Sequence, residues 1–331
     1  MVLWSDKLSL DFHENRNFDL VTPFAVEPLD IRGKTARLGE TINAILARHN
    51  YPEPVSKLLG EAIVLTVLLG ASLKFEGRFQ LQARSDGAVD LLVVDFDAPD
   101  RIRGYARFDA ERVALAQDTN APLLGQGLLG LTIDQGQDMS QYQGIVALDG
   151  QGLEAAAQQY FLQSEQIPTR VRLAVGSLTR PDFAGGIQSS WRAGGMIIQF
   201  LPTADHRQIV RDLHPGDAPE GIIYSENNDE DIWREAQLLL STVGDDELLD
   251  PEVSDNSLLY RLFHQHGVRV FEPQFIVDKC RCSEERIVGM LNSFSIDERT
   301  SMVGDDGVIG VTCEFCSTHY RVNPGDIGLS S

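Results

Sequence analysis

The chain has 331 residues, enough for one large domain and a smaller one, and 43% of them are hydrophobic, as in ordinary globular proteins. Its 28 basic and 49 acidic residues give a net charge of -21, which repels phosphate backbones and anionic membrane surfaces, so we expect neither nucleic acid nor membrane as a partner. No secretory signal begins the chain, and the longest apolar run, 62–73, is too short to cross a bilayer, so we expect a cytoplasmic protein.

The first two thirds of the chain mix helical and strand patterns. Apolar spacing predicts one helix from Leu38 and a buried helix from Val55 to Leu69, and alternation with turn signals predicts mostly antiparallel strands. We therefore expect an α+β core domain over residues 1–202. The other predicted elements are strands 18–26, 31–37, 79–84, 89–96, 101–108, 129–135, 141–148, 170–175 and 195–201, and a helix over 152–162.

The composition changes after residue 201. Residues 205–231 contain prolines, glycines and the acidic stretch 226–231, which is typical of a linker. Two thin, charged helices follow, one with Trp233 and Leu240 on its apolar face and one around Leu258, and such helices are marginal unless they dock on another surface. We predict an acidic, partly helical and metastable linker over residues 203–275.

The four cysteines of the chain form two close pairs, Cys280-Arg281-Cys282 and Cys313-Glu314-Phe315-Cys316. Two such pairs can supply all ligands of a tetrahedral zinc site, so we predict one Zn²⁺ per chain, bound by Cys280, Cys282, Cys313 and Cys316. A helix from Ser283 and strands near 308–312 and 319–322 complete a C-terminal zinc domain over 276–331. Because thiolates are also readily oxidised, the site can act as a redox switch.

Other candidate motifs favour ordinary structural explanations. His264, His266 and His319 are interpreted as solvated or supporting groups, because four sulfurs already fill a tetrahedral shell. Gly125 to Gly130 matches G-x-G-x-x-G but precedes a strand pattern, so a glycine-rich turn is predicted. Asp95, Asp97 and Asp100 are interpreted as a solvated loop. The sequence contains no Ser-His-Asp, Walker or HExxH motif, and we expect that the protein is not an enzyme.

Several segments together resemble one known family, the bacterial redox-regulated chaperones called heat-shock proteins of 33 kDa. The resemblance extends from about Phe18 to Asp326. It is carried by the two cysteine motifs and by Leu262-Phe263-His264, Phe271-Glu272-Pro273, the stretch 191–199, Asn50-Tyr51-Pro52, Leu73-Lys74-Phe75 and Arg103-Gly104-Tyr105-Ala106.

The resemblance implies an ATP-independent holdase that is inactive when reduced and bound to zinc. It implies that oxidants with heat form the disulfides Cys280–Cys282 and Cys313–Cys316, expel zinc and unfold the switch and linker. The activated protein would dimerise and bind unfolding client proteins. The acidic surface fits this function, because charge keeps complexes with unfolded proteins soluble.

Two other functional classes stay open from the sequence. A zinc-stabilised interaction module is suggested by the likeness of the four-cysteine hairpin to zinc ribbons, although the acidic charge opposes nucleic-acid binding. A thiol oxidoreductase using Cys313 and Cys316 is the third class, although such a motif belongs at a strand–helix junction.

Overall fold

The computed structural model describes residues 18–72, 77–135, 141–181, 186–201 and 229–327. The strands are β1 (Leu20–Val26), β2 (Ile31–Leu38), β3 (Arg78–Ser85), β4 (Val89–Asp97), β5 (Arg101–Phe108), β6 (Gln126–Asp134), β7 (Tyr142–Asp149), β8 (Thr169–Pro181), β9 (Ile187–Phe200), β10 (Arg269–Val270), β11 (Gln274–Phe275), β12 (Val277–Asp278), β13 (Ile309–Thr312) and β14 (His319–Val322). The helices are α1 (Glu40–Ala47), α2 (Glu53–Gly70), α3 (Ala110–Thr119), α4 (Leu153–Tyr160), α5 (Asp229–Ser241), α6 (Asp245–Leu249), α7 (Asp255–Phe263), α8 (Glu284–Leu291) and α9 (Ile296–Ser301).

Two six-stranded sheets form the body of the protein. The first has the order β10-β1-β2-β9-β8, with β11 also on β1, and the second has the order β12-β5-β4-β3-β6-β7. The long strands pair antiparallel, whereas β12 pairs parallel with β5. The predicted α+β class with mostly antiparallel strands is confirmed.

Helix α2 lies between the two sheets and forms the centre of the main core. It packs against β2, β8 and β9 of the first sheet and against β3, β4 and β5 of the second. Its side chains are buried around most of its circumference, as expected for a helix with sheets on two sides. Pro54 in the first turn suits the start of the helix, because that turn lacks intrahelical partners for its N–H groups.

The hairpin β8–β9 is longer than the sequence indicated. The strands were predicted over 170–175 and 195–201, but they extend to Pro181 and begin at Ile187. The added parts are largely exposed and carry polar residues such as Ser177 and Ser189, so no apolar alternation marks them.

The predicted turn over Gly125 to Gly130 was wrong, because β6 begins at Gln126. A Cβ at Gly127 would lie 2.0 Å from the carbonyl oxygen of Arg84 in the neighbouring strand. Position 127 therefore needs glycine, because the backbones of β6 and β3 approach each other too closely there for a side chain.

The outer face of the first sheet is covered by α5, α6 and α7. These helices belong to the predicted linker, and docking gives them the apolar partner that they need. The predicted linker residues 203–228 lie outside the described residues, as does residue 202 of the predicted core domain. The buried side chains at this contact are Phe24, Val26, Leu29, Ile31, Ala174, Met196 and Ile198 beneath the helices, and Ala236, Leu240, Leu248, Leu258, Leu259, Leu262 and Phe263 on them, with Val243 in the turn between α5 and α6.

The segment after α7 joins both sheets before it reaches the cysteines. Strands β10 and β11 pair with β1, and β12 pairs with β5. The small C-terminal unit then consists of α8, α9 and the hairpin β13–β14. The three domain boundaries stay predictions, but β12 lies within the segment predicted as C-terminal domain and is part of a core sheet. Among the described residues, no helix is long and apolar enough to cross a membrane.

Candidate metal and redox centre

The structure brings all four cysteines together at one end of the C-terminal unit. Cys280 and Cys282 lie between β12 and α8, Cys313 follows β13, and Cys316 lies in the turn before β14. The four sulfur atoms lie within 4.8 Å of one another, and each residue is partly buried. Sequence spacing thus identified residues that meet in space, and their arrangement forms a possible metal-binding site.

Short elements hold the two cysteine pairs in place. The Ser283 side chain accepts a hydrogen bond from the Arg286 N–H at 3.3 Å and caps α8 directly after Cys282. In the hairpin, the Ser317 N–H donates to the Cys313 carbonyl oxygen at 2.8 Å, and the Cys313 N–H donates to that of Thr318 at 3.0 Å. These bonds form a tight turn that points both sulfurs of the second pair toward the first.

The sulfur atoms are close across the two motifs. Cys280 Sγ lies 3.7 Å from Cys313 Sγ, and Cys282 Sγ lies 3.2 Å from Cys316 Sγ. The Tyr320 hydroxyl donates to Cys282 Sγ at 3.1 Å. Four sulfurs at such separations suit a single tetrahedral metal ion, because that geometry places every ligand beside the other three.

The protein environment separates the acidities of the thiols. Burial raises the pKa of Cys282 to about 12. Burial also acts to raise the pKa of Cys316, but hydrogen bonds with Thr318 and the neighbouring thiols outweigh it and lower that pKa to about 7. Cys316 is thus more readily ionised than Cys282 in the metal-free protein.

The three histidines considered from the sequence lie outside the sulfur cluster. His319 Nδ1 lies 3.0 Å from the Thr312 hydroxyl across the hairpin. His266 pairs with Glu235 at 3.0 Å, and His264 is exposed on the linker. The four sulfurs therefore form the possible site without them.

The residue between the first two cysteines contacts the core. The Arg281 Nη2 group donates to Asp95 Oδ2 at 3.0 Å, and Arg281 Nε lies 3.0 Å from Asp97 Oδ2. Arg103 donates to the same Asp95 oxygen at 2.5 Å and to Cys280 Sγ at 3.6 Å. The prediction that Asp95 and Asp97 form a solvated loop was wrong, because both are buried at the end of β4 and neutralised by arginines. Asp100 lies in the following turn.

The second cysteine pair also contacts the core, through Phe315. Its ring packs edge-on against Tyr105 at 4.9 Å between centroids, and the Arg103 guanidinium lies 3.9 Å from the centre of the ring. His49 Nε2 lies 3.1 Å from the Phe315 carbonyl oxygen. Each cysteine motif thus presents intervening side chains to the surface of the core, Arg281 from the first motif and Phe315 from the second, where Glu314 also contacts Tyr105.

Arg37 is a further polar contact that the sequence did not reveal. Its side chain is fully buried on β2, and its Nε donates to the Leu248 carbonyl oxygen at 3.2 Å, at the end of α6. It also donates to the Asp250 carbonyl oxygen and lies 4.0 Å from Asp255. Burial lowers the pKa of Arg37 and raises that of Asp255. A polar anchor therefore holds the linker beside its apolar contacts.

Comparisons with known proteins agree with these features. The family model described as Hsp33 protein matches residues 19–323. A 33 kDa chaperonin of Caulobacter vibrioides is 45% identical over 311 residues, which cover 92% of this chain and 95% of the relative. A 33 kDa chaperonin of Enterobacter sp. is 33% identical over 311 residues, covering 93% and 94%. The crystal structure of a 33 kDa chaperonin from Thermotoga maritima has a TM-score of 0.68 at 20% identity, covering 93% of this chain and 96% of that one, and shares the fold.

Proposed function

The chain belongs to the Hsp33 family, and we propose that it is a redox-regulated, ATP-independent holdase, inactive while its cysteines are reduced and bind zinc. It is a chaperone of that family and not an enzyme. The observation that carries the proposal is the position of the cysteine cluster, which directly follows a linker covering an apolar sheet face.

The donor set fits zinc. Cys280, Cys282, Cys313 and Cys316 offer four sulfurs within reach of one ion, and all-thiolate sets are typical of structural zinc. Zinc would supply the cross-link that this small unit needs, because its hydrophobic cluster is too small to be stable alone. The buried members of that cluster are Ile287, Leu291, Ile309, Val322 and Ile327.

Oxidation removes the metal ligands. Two thiols give up two electrons and two protons to a peroxide, which is reduced to water, and a disulfide forms. We propose the pairs Cys280–Cys282 and Cys313–Cys316 from the family resemblance, since the sulfur positions alone do not select them. Without four thiolates zinc leaves, and the C-terminal unit unfolds.

Release of the linker would make the binding surface available. Phe24, Ile31, Met196 and Ile198 on the sheet are each at most 1% exposed beneath the helices. Large apolar patches are the surfaces that capture unfolding proteins, and the net charge of -21 would keep the complexes soluble. We further propose that the activated protein is a homodimer that acts in the cytoplasm and binds neither nucleic acid nor membranes.

Light scattering from a heat-aggregating client protein tests the proposal. The full chain is added either reduced and zinc-loaded or after treatment with peroxide at mild heat, with a Cys280→Ser/Cys282→Ser variant as control. Suppression of aggregation by the oxidised parent alone supports the proposal. In the variant, peroxide treatment should not produce the increase in suppression of aggregation that it produces in the parent.

The same experiment separates the alternative functions. Equal behaviour of the reduced and oxidised parent would contradict redox control and favour a zinc-stabilised interaction module. Turnover of a disulfide substrate by metal-free protein, lost in Cys313→Ala, would favour a thiol oxidoreductase. The position of Cys313 after a short hairpin strand, with no helix directly after Cys316, weighs against that activity.

A further inference from the structure

Arg281 lies between two cysteines of the proposed switch, yet its side chain contacts the core. We propose that Arg281 is a positioning residue that docks the reduced cysteine centre on the core and thereby keeps the linker closed. This inference rests on the proposed function and assigns the contact through which the cysteines act on the rest of the chain. Arg281, Asp95, Asp97 and Arg103 are together called the clasp.

The clasp is a buried network of charges. The Asp95 side chain is 1% exposed and meets both Arg281 at 3.0 Å and Arg103 at 2.5 Å, while Gln80 donates to its other oxygen at 2.7 Å. Asp97 meets Arg281 at 3.0 Å, and the Arg281 side chain is 18% exposed. Charges withdrawn from water in this way depend on their partners, so losing one arginine is costly.

The spacing of the first cysteine motif makes the contacts of the clasp depend on whether Cys280 and Cys282 are reduced or joined by a disulfide. Only Arg281 separates Cys280 from Cys282, so the two sulfurs and the guanidinium are positioned by the same short piece of backbone. A disulfide across one residue requires its two sulfur atoms about 2.05 Å apart with a defined torsion angle. Forming that bond changes the backbone at Arg281, and the bridging contact to two carboxylates is lost.

The clasp lies at the C-terminal end of the linker. Strand β12 ends two residues before Cys280 and is hydrogen-bonded to the core by the N–H groups of Val277 and Lys279, at 2.9 and 3.2 Å from the carbonyl oxygens of Asp100 and Ile102. Arg48 also pairs with Asp278 of β12, and Ile276 directly before the strand is buried, but all of these contacts lie on one short segment. Docking by Arg281 at the end nearest the cysteines therefore keeps β12 paired with β5. The linker then cannot detach from the first sheet starting at its C-terminal end.

Hydrogen exchange at the Val277 and Lys279 amides tests the clasp in the full chain. In the reduced, zinc-loaded Arg281→Ala variant we expect exchange to be about tenfold faster than in the parent, because a charge-assisted contact is lost while Phe315 stays docked. The Arg281→Lys variant should give a smaller effect, because an ammonium does not bridge two carboxylates as a guanidinium does. Zinc content should stay at one per chain in all of them.

Arg321→Ala is the matched control. It removes the same charge from the same unit, but Arg321 pairs at 2.9 Å with Asp306 of the C-terminal unit itself. Its amide exchange at Val277 and Lys279 should equal that of the parent. After peroxide treatment, the parent and Arg281→Ala should exchange equally fast, because oxidation has already opened the clasp.

Asp97→Asn tests the contact from the core side, and it serves if Arg281→Ala binds zinc poorly. It should also speed exchange in the reduced protein, and combining it with Arg281→Ala should add less than the sum of the two effects. Parent-like exchange in reduced Asp97→Asn and Arg281→Ala would overturn the inference, as would an effect of equal size before and after oxidation. If the parent suppresses aggregation equally in both redox states, the proposed function fails, and the exchange data still decide whether the clasp docks the centre.

Discussion

Glu61 on α2 lies where the core meets the linker, close to two other carboxylates. Burial and then repulsion from Glu154 and Asp245 raise its pKa to about 7, and Arg172 and Lys57 oppose the rise. Arg172 is shared, because it pairs with Glu154 at 3.4 Å and also with Asp245 of α6. Ionised Glu61 therefore adds a third negative charge around one arginine.

The environment of Glu61 predicts a pH-dependent effect on stability. Its pKa in the folded protein is above the ordinary value of 4.5, so folding favours the protonated form, and stability falls as pH rises from 4.5 to about 7. We expect Glu61→Gln to have a higher free energy of unfolding than the parent at pH 8, by about 1–2 kcal/mol, with little difference near pH 4.5. Urea unfolding of the reduced parent and variant between pH 4.5 and pH 8 measures this difference in the free energy of unfolding.

The control for Glu61 is Glu272→Gln, which changes an exposed glutamate in the loop between β10 and β11. It should alter the free energy of unfolding by no more than about 0.5 kcal/mol at any pH. A stabilisation by Glu61→Gln that is the same at every pH would contradict the charge explanation.

At the scale of elements, local patterns found two of the three linker helices, α5 and α7, but neither the short helix α6 nor the surface that all three cover. The spacing of Trp233 and Leu240 predicted α5, and Leu258 with its neighbours predicted α7. An amphipathic face shows that a helix has a partner without saying which one. The polar contact from Arg37 to the end of α6 spans 211 positions, and no local pattern relates residues so far apart. Docking of the linker therefore became visible only in the fold.

Phe263 at the end of α7 is the side chain whose removal should loosen the linker most directly. It is 0% exposed and its ring lies 5.7 Å from that of Phe24 on β1. Phe263→Ala should lower the free energy of linker docking by about 3–5 kcal/mol, because it leaves a cavity at this contact. Under the proposed function, the reduced variant should suppress client aggregation without peroxide, as measured by light scattering.

Leu238→Ala is the control for that change. Leu238 lies on α5 of the same linker but is 62% exposed, so its truncation should leave the reduced protein inactive. If Phe263→Ala instead stays inactive while protease cleaves its linker readily, exposure of the sheet face is insufficient for client binding.

For the whole molecule, the sequence predicted the cysteine centre more completely than its attachment to the core. Two spaced cysteine pairs identify a shared site from type and spacing alone. By contrast, Asp95 and Arg281 lie 186 positions apart, and one aspartate among 49 acidic residues carries no local sign of its partner. Local sequence patterns therefore predict the C-terminal unit and the core separately. The contacts that couple the two are seen only in the three-dimensional structure.

Under the proposed zinc binding, metal removal should show that these two parts differ in stability. The main core contains α2 between two sheets, whereas the C-terminal unit has only a small hydrophobic cluster beside the sulfurs. Structural zinc contributes on the order of 10 kcal/mol to the folding of such small units. We therefore expect a chelator to unfold residues 284–327 of the reduced protein while the sheets stay folded.

Hydrogen exchange measures both parts in one experiment. The Cys313 amide, bonded to the Thr318 carbonyl oxygen in the hairpin, should lose protection after chelation, and the β3–β4 amides should keep theirs. Adding zinc back under reducing conditions should restore the hairpin, because the four thiols are unchanged. Protection of the Cys313 amide in metal-free, reduced protein would mean that the C-terminal unit folds without metal. Loss of zinc would then not explain how oxidation releases the linker.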